Sequence, residues 1–176
     1  MNLTDKPIKM NSWQVSVAAE AFAAALFARC GLDVSVQYGA NQPEYDLVVC
    51  RGERLMKVSV KGSQDGGWGL TQSYLDKGAA NYHEAIDRWL ARHNLRTVLC
   101  LAQFLGVATT EMPRMYLATP IEIAHHLKLC AKGRGETILN EEQVWTNKSQ
   151  AAGTIDRIPA GWRFSATRVE QLLSGC

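Results

Sequence analysis

The sequence predicts an α/β fold: a mixed β-sheet flanked by helices, in the order α-β-β-β-α-β with a C-terminal β-α extension. Three observations predict it. Residues 13–30 (WQVSVAAEAFAAALFARC) repeat apolar side chains at helical spacing. Residues 45–50 (YDLVVC) and 55–61 (LMKVSVK) are short, β-rich runs joined by a Gly-containing turn. Residues 97–107 (TVLCLAQFLGV) form a near-continuous apolar run that suits a strand buried on both faces. Helices and strands in this order pack as layers around a mixed sheet.

The first helix takes Ser12 as its N-cap and Gly31 as its stop, and its apolar arc holds Val15, Ala18, Ala19, Phe22, Ala23, Leu26 and Cys30. Glu20 falls just beyond the edge of that arc, so it is read either as an ordinary surface glutamate or as a side chain looking along the sheet towards a site. Residues 34–38 make a short first strand and residues 39–43 a loop. The hairpin then places Gly52 at the first central position of a two-residue type II′ turn, where φ must be positive. This register sets Cys50 opposite Leu55, Val48 opposite Lys57, Asp46 opposite Ser59 and Glu44 opposite Lys61. Directly opposed residues share a face, so a carboxylate, a hydroxyl and an ammonium converge on one side. Tyr45, Leu47, Val49, Met56, Val58 and Val60 form the apolar other side.

A Gly- and Gln-containing loop (GSQDGGWGLTQS) follows Lys61. Its Trp68 has two readings, stacking on a nucleic-acid base or tucking against the core. Residues 77–93 form a second helix with Ala79, Tyr82, His83, Ile86, Trp89 and Leu90 inward, and Glu84, Arg88 and Arg92 at i, i+4 spacing outward. After the apolar strand comes another at residues 114–118. Pro120 then opens a helix at its N1 position, and residues 167–173 close the chain with a short helix. His83-Glu84 begins like a zinc-protease motif, but the fifth position is Asp87 rather than His. His125, His126 and Cys130 lack the spacing of a closed zinc site.

At 176 residues the chain has the length of one domain with a substantial core. Its 47% hydrophobic and 20% charged residues are ordinary for a soluble globular protein. The five cysteines are scattered without a CxxC pair, which favours reduced thiols over a disulfide framework. No apolar run is long enough for a membrane span or a secretory leader, so the expected location is cytoplasmic, without a membrane partner. Residues 89–176 carry ten Lys/Arg against seven Asp/Glu. That mild basic excess is compatible with phosphate binding.

The opening order, with Glu20 on the first helix, Asp46 in Pro43-Glu44-Tyr45-Asp46, and Lys61 ending the next strand, resembles the PD-(D/E)XK nuclease superfamily, which includes restriction endonucleases, Holliday junction resolvases and some homing endonucleases. The match covers roughly residues 12–64. Gln64 resembles a polar residue often found shortly after the lysine. The resemblance implies a restriction endonuclease-like sheet in one domain, residues 1–176, with the core at about 12–119 and an extension at about 120–176. It further implies a Mg²⁺- or Mn²⁺-dependent endonuclease acting on DNA. Asp46 and Glu20 would hold the metal, Lys61 would position water, Ser59 would hydrogen-bond near the metal, and Gln64 and Trp68 would contact nucleic acid. Homodimerisation is common among such nucleases and is expected here on that ground.

The departure is Ser59, where the family has an acid or sometimes Gln. A hydroxyl is a much weaker Mg²⁺ ligand than a carboxylate. Glu20 or Glu44 can replace the missing acid, although Glu44 can instead pair with Lys61. So can an acid further on, as in the Ser-x-Lys subset of restriction enzymes: Asp76, Glu84 or Asp65. The alternative is a catalytically degenerate nuclease fold that serves as a nucleic-acid-binding or protein-interaction module. A further alternative for Asp46 and Lys61 is a surface ion pair.

Overall fold

Asn11 and Gln14 start the first helix. The Asn11 Oδ1 accepts from the Gln14 N–H and the Gln14 Oε1 from the Asn11 N–H, each at 2.9 Å. This reciprocal capping box displaces the expected cap by one residue, because Ser12 has no Glu or Gln three positions on. Helix α1 (Ser12–Arg29) ends at Cys30, with Gly31 at φ 74° as its stop. Strands β1 (Asp33–Val36), β2 (Leu47–Arg51) and β3 (Arg54–Ser63) follow, then the two-residue β4 (Gly67–Trp68) and helix α2 (Tyr82–Arg92). Next come β5 (Thr97–Gln103), β6 (Arg114–Ala118), α3 (Pro120–Leu129), β7 (Leu139–Asn140), β8 (Glu142–Val144), β9 (Ile155–Arg157) and α4 (Ala166–Ser174). This is a computed structural model, and it describes residues 7–37, 44–76, 81–94, 96–146 and 150–175. The expected ends at Tyr38 and at residues 77–80, with Ala79, the loop 39–43 and Cys176 lie outside the described residues.

The main sheet is five-stranded, in the order β1-β2-β3-β5-β6. β1, β2 and β3 run antiparallel in sequence, β5 joins β3 in parallel, and β6 pairs antiparallel with β5. The mixed sheet and the core order α-β-β-β-α-β are those the sequence predicts, with the two-residue β4 inserted before α2. In addition, β4 pairs with β7 and β8 with β9, short ladders too brief to leave a hydrophobic period. Helices cover both faces. Ala19, Ala23 and Phe27 of α1 and Val169, Leu172 and Leu173 of α4 pack with Val58 and Val60 on one side. Ile86 and Trp89 of α2 and Ile123 and Leu127 of α3 pack with Leu99 and Leu101 on the other. β5 is buried along its whole length, as a strand covered on both faces must be. It is shorter than expected, because the chain turns at Phe104 and Gly106 takes φ 71°. No helix among the described residues is long and apolar enough to cross a membrane.

The hairpin register holds from Arg51↔Arg54 to Leu47↔Val58, and Gly52 adopts φ 60°. The buried arc of α1 differs in one large residue. Phe27 is completely buried, edge-on to Phe164 at 5.1 Å, while Ala18, Phe22, Leu26 and Cys30 are only partly covered. α1 lies very close to β3. A Cβ on Gly62 would stand 2.7 Å from Val15 Cγ1, 2.9 Å from the Val15 carbonyl oxygen and 3.0 Å from Ala19 Cβ. Gly62→Ala is therefore expected to destabilise the fold by about 1–3 kcal/mol, read as a lowered urea midpoint, because backbone cannot yield as a side-chain tip does. An unchanged midpoint would show that α1 can move off the strand freely.

Candidate functional site

At Asp46 strand β2 has not yet begun, and this sets the side chain's use. The Asp46 N–H still donates to the Val58 carbonyl (2.9 Å), and the Asp46 carbonyl accepts from Gln37 N–H (2.8 Å). Asp46 Oδ2 accepts from the Val60 N–H at 2.6 Å, so a side-chain carboxylate takes a β3 amide where β2 has no ladder partner for it. Ser59 Oγ lies 3.5 Å from the same oxygen and is only 4% exposed. Asp46 is thus aimed by two donors from β3, with Oδ1 left over. The expected opposition of Asp46 and Ser59 is realised as a side-chain contact. Past it the expected pattern breaks. Tyr45, assigned to the apolar face, instead lies under the Lys57 ammonium, 4.9 Å from the ring centroid. Glu44, set opposite Lys61, accepts from the Asn94 N–H at 2.8 Å. Both departures follow from the ladder ending at Leu47, beyond which strand alternation no longer dictates side-chain direction.

Lys61 is exposed, and among the described residues its ammonium makes no hydrogen bond or ion pair. Glu20 arrives from α1, the helix on the other face, carried in by the close approach at Gly62. Burial, reinforced by the nearby Asp46 carboxylate, holds its carboxyl above the usual range, and Lys61 partly opposes this. Glu20 therefore feels the charges of both Asp46 and Lys61. For an acid whose folded pKa is raised, ionisation costs stability as pH rises above the ordinary 4.5. Glu20→Gln is expected to melt higher than the wild type at pH 7, with the difference vanishing below about pH 4.5, where both states hold the proton. A glutamine variant less stable at pH 7 would mean that the ionised Glu20 has a stabilising partner.

The structure reassigns several residues. Gln64 is engaged by backbone: its Oε1 accepts from the Met10 N–H (2.9 Å) and its Nε2 donates to the Met10 carbonyl (2.5 Å), so the whole amide clamps the N-terminal segment. Trp68 is 3% exposed, its Nε1 donates to the Lys61 carbonyl at 3.0 Å, and its ring meets Tyr116 edge-on at 6.3 Å. The indole is part of the core, not a base-stacking platform, because β4 pairs with β7 and turns it inward. Asp76 and Glu84 both bind Arg88 on the exposed flank of α2, which uses up two of the candidate replacement acids. Asp65 remains. It lines the same cleft as Lys61, together with Ser12, Ser16 and the loop through Leu70.

Sequence reasoning did not single out what holds Asp65. Gln103, fully buried at the end of β5, donates through Nε2 to Ser63 Oγ (3.2 Å), and Ser63 Oγ donates to Asp65 Oδ1 (2.7 Å). Gln103 Oε1 accepts from Leu105 N–H at 3.0 Å. An amide side chain at the end of a largely apolar strand was the available signal, since a buried amide persists only where it is hydrogen-bonded.

Among the described residues no three His, Cys, Asp or Glu side chains form a group that holds a metal. Glu20 and Asp46 are a carboxyl pair close enough for the charge of one to act on the other. One carboxyl is raised partly by the other's charge, a repulsion that a cation relieves. Mg²⁺ commonly takes only one or two carboxylates, with water and phosphate filling its shell. No family model and no curated protein matches the chain. Among solved structures it is similar to a bacterial homing endonuclease, I-Ssp6803I, across 94% of this chain and 95% of that one, with 14% identity and a TM-score of 0.49. Likeness at that level assigns neither a family nor a function.

Proposed function

We propose that the protein is a Mg²⁺- or Mn²⁺-dependent endonuclease of the PD-(D/E)XK type that hydrolyses phosphodiester bonds in DNA. The observation that carries this reading is the Asp46 carboxylate held by Ser59 and the Val60 N–H of β3, the strand that also bears Lys61, with Glu20 of α1 near enough to feel both charges. Asp46 and Glu20 are the residues that would hold the metal, which when bound supplies Lewis-acid stabilisation of charge on the scissile phosphate. Ser59 and the Val60 N–H hold the Asp46 carboxylate in one orientation. Lys61, without a protein partner among the described residues, is available to orient the attacking water and to offset the negative charge that builds on the phosphate. Substitution of Asp46 or Lys61 in nuclease-free preparations tests the assignment, and metal-dependent cleavage surviving both changes would sink it.

The buried Ser59 favours a second reading. With a hydroxyl where an acid is usual, the same cleft serves a non-catalytic module whose affinity for nucleic acid falls steeply with salt. Calorimetry separates the two: this module binds neither Mg²⁺ nor Mn²⁺ at millimolar metal, whereas the nuclease does.

A further inference from the structure

We propose that the cavity between α1, the N-terminal segment and the loop after β5 is a subsite for an unstacked nucleobase, with Asp65 accepting from the base's exocyclic amine. The proposal rests on the nucleic-acid reading above and names which part of the substrate the cavity takes.

The cavity measures about 790 Å³, within the range of small-ligand sites. Its walls are largely apolar and include Ile8, Phe22, Phe104 and Leu105. The Phe22 and Phe104 rings stand 6.1 Å apart, and Ile8 and Leu105 remain 72% and 50% exposed, so apolar surface is left facing open space. A planar ring is the chemistry such walls accept, and stacking on aromatic side chains is how proteins hold unpaired bases.

The cavity adjoins the cleft lined by Lys61. Gln64 and Asp65 line both this cavity and the cleft that contains Lys61. A strand with its phosphate at the Lys61 ammonium would pass Asp65 on its way to the cavity. The carboxylate there is not left to chance. Ser63 Oγ, itself backed by buried Gln103, and the Gly67 N–H (3.5 Å) both point at Oδ1, which leaves Oδ2 without a partner among the described residues. A carboxylate only accepts, so it suits the N4 amine of cytosine and repels the O4 of uracil or thymine, an otherwise near-identical ring. Gln64, clamped to both polar groups of Met10, keeps the wall formed by residues 7–10 in place.

The test uses the full chain without divalent metal, so that binding is read apart from cleavage. Fluorescence anisotropy compares labelled hexadeoxycytidylate with hexadeoxyuridylate at low salt. We expect the cytidylate to bind about tenfold more tightly, the lower part of the range for one base-edge contact. Asp65→Asn, an exposed substitution, should bring the two within about twofold. Equal binding of both oligonucleotides by the wild type, or a preference that Asp65→Asn leaves intact, overturns the subsite and leaves the nuclease reading standing. Binding of neither overturns the subsite as well, and cleavage of duplex DNA, measured separately, then decides whether the nuclease reading falls with it.

Discussion

Asp46→Asn is expected to lower metal-dependent DNA cleavage by about 10³-fold or more while leaving the melting temperature close to that of the wild type. Asparagine is the informative replacement because Asp46 does two things. Its Oδ2 satisfies the Val60 N–H at 2.6 Å, and an amide oxygen can still do that. What asparagine cannot supply is the anionic charge a hard cation requires. Loss of a charge that stabilises phosphate chemistry by several kcal/mol corresponds to three decades or so in rate. Alanine confuses the two roles, since it leaves the Val60 amide without its acceptor at a further cost of about 1–3 kcal/mol. Lys61→Ala should cost about 10²-fold in rate with no loss of stability, because the exposed ammonium has no partner to lose among the described residues. Single-turnover cleavage with Mg²⁺, alongside thermal melts, checks both variants. An Asp46→Asn protein that cleaves at the wild-type rate would move the metal site elsewhere.

The second large effect is on the fold. Phe27→Ala should destabilise the protein by about 3–5 kcal/mol, a fall of roughly 10 °C or more in melting temperature. Phe27 is the one large side chain of α1 that is fully buried, and its ring meets Phe164 edge-on at 5.1 Å, tying α1 to the segment that leads into α4. Removing it opens a cavity between two elements that share no backbone hydrogen bond among the described residues. A loss below about 1 kcal/mol, by denaturant titration, would mean that the two helices close over the gap. Because Glu20 rides on α1, the same variant should also weaken metal binding if α1 shifts.

The two faces of the hairpin were legible in the sequence as far as Leu47, because strand alternation and a Gly turn leave a strong local pattern. Beyond it only the meeting of Asp46 with Ser59 was legible. Asp46 replaces a ladder acceptor with its own carboxylate, Tyr45 swings under Lys57, and Glu44 reaches Asn94, all of which depend on where pairing stops. Phe27 was missed for a related reason. An Ala-rich helix is apolar on nearly every side, so its periodicity does not say which arc faces the sheet. The partners of Trp68 and Gln64 were not legible because a Gly-rich loop looks open in sequence. Here a two-residue ladder with β7 folds the indole inward, and the Met10 backbone takes both ends of the amide.

By itself, the sequence determined the main layers: the helices, the five strands of the main sheet, the hairpin of the second and third strands, and the meeting of Asp46 with Ser59. These are consequences of local periodicity and turn chemistry. Only the tertiary structure decided that Glu20, on a helix packed closely over Gly62, feels the charges of Asp46 and Lys61, and that Asp65 rather than Asp76 or Glu84 shares the cleft with Lys61. Contacts of that kind arise between residues distant in sequence, where close packing, not period, sets which side chains meet.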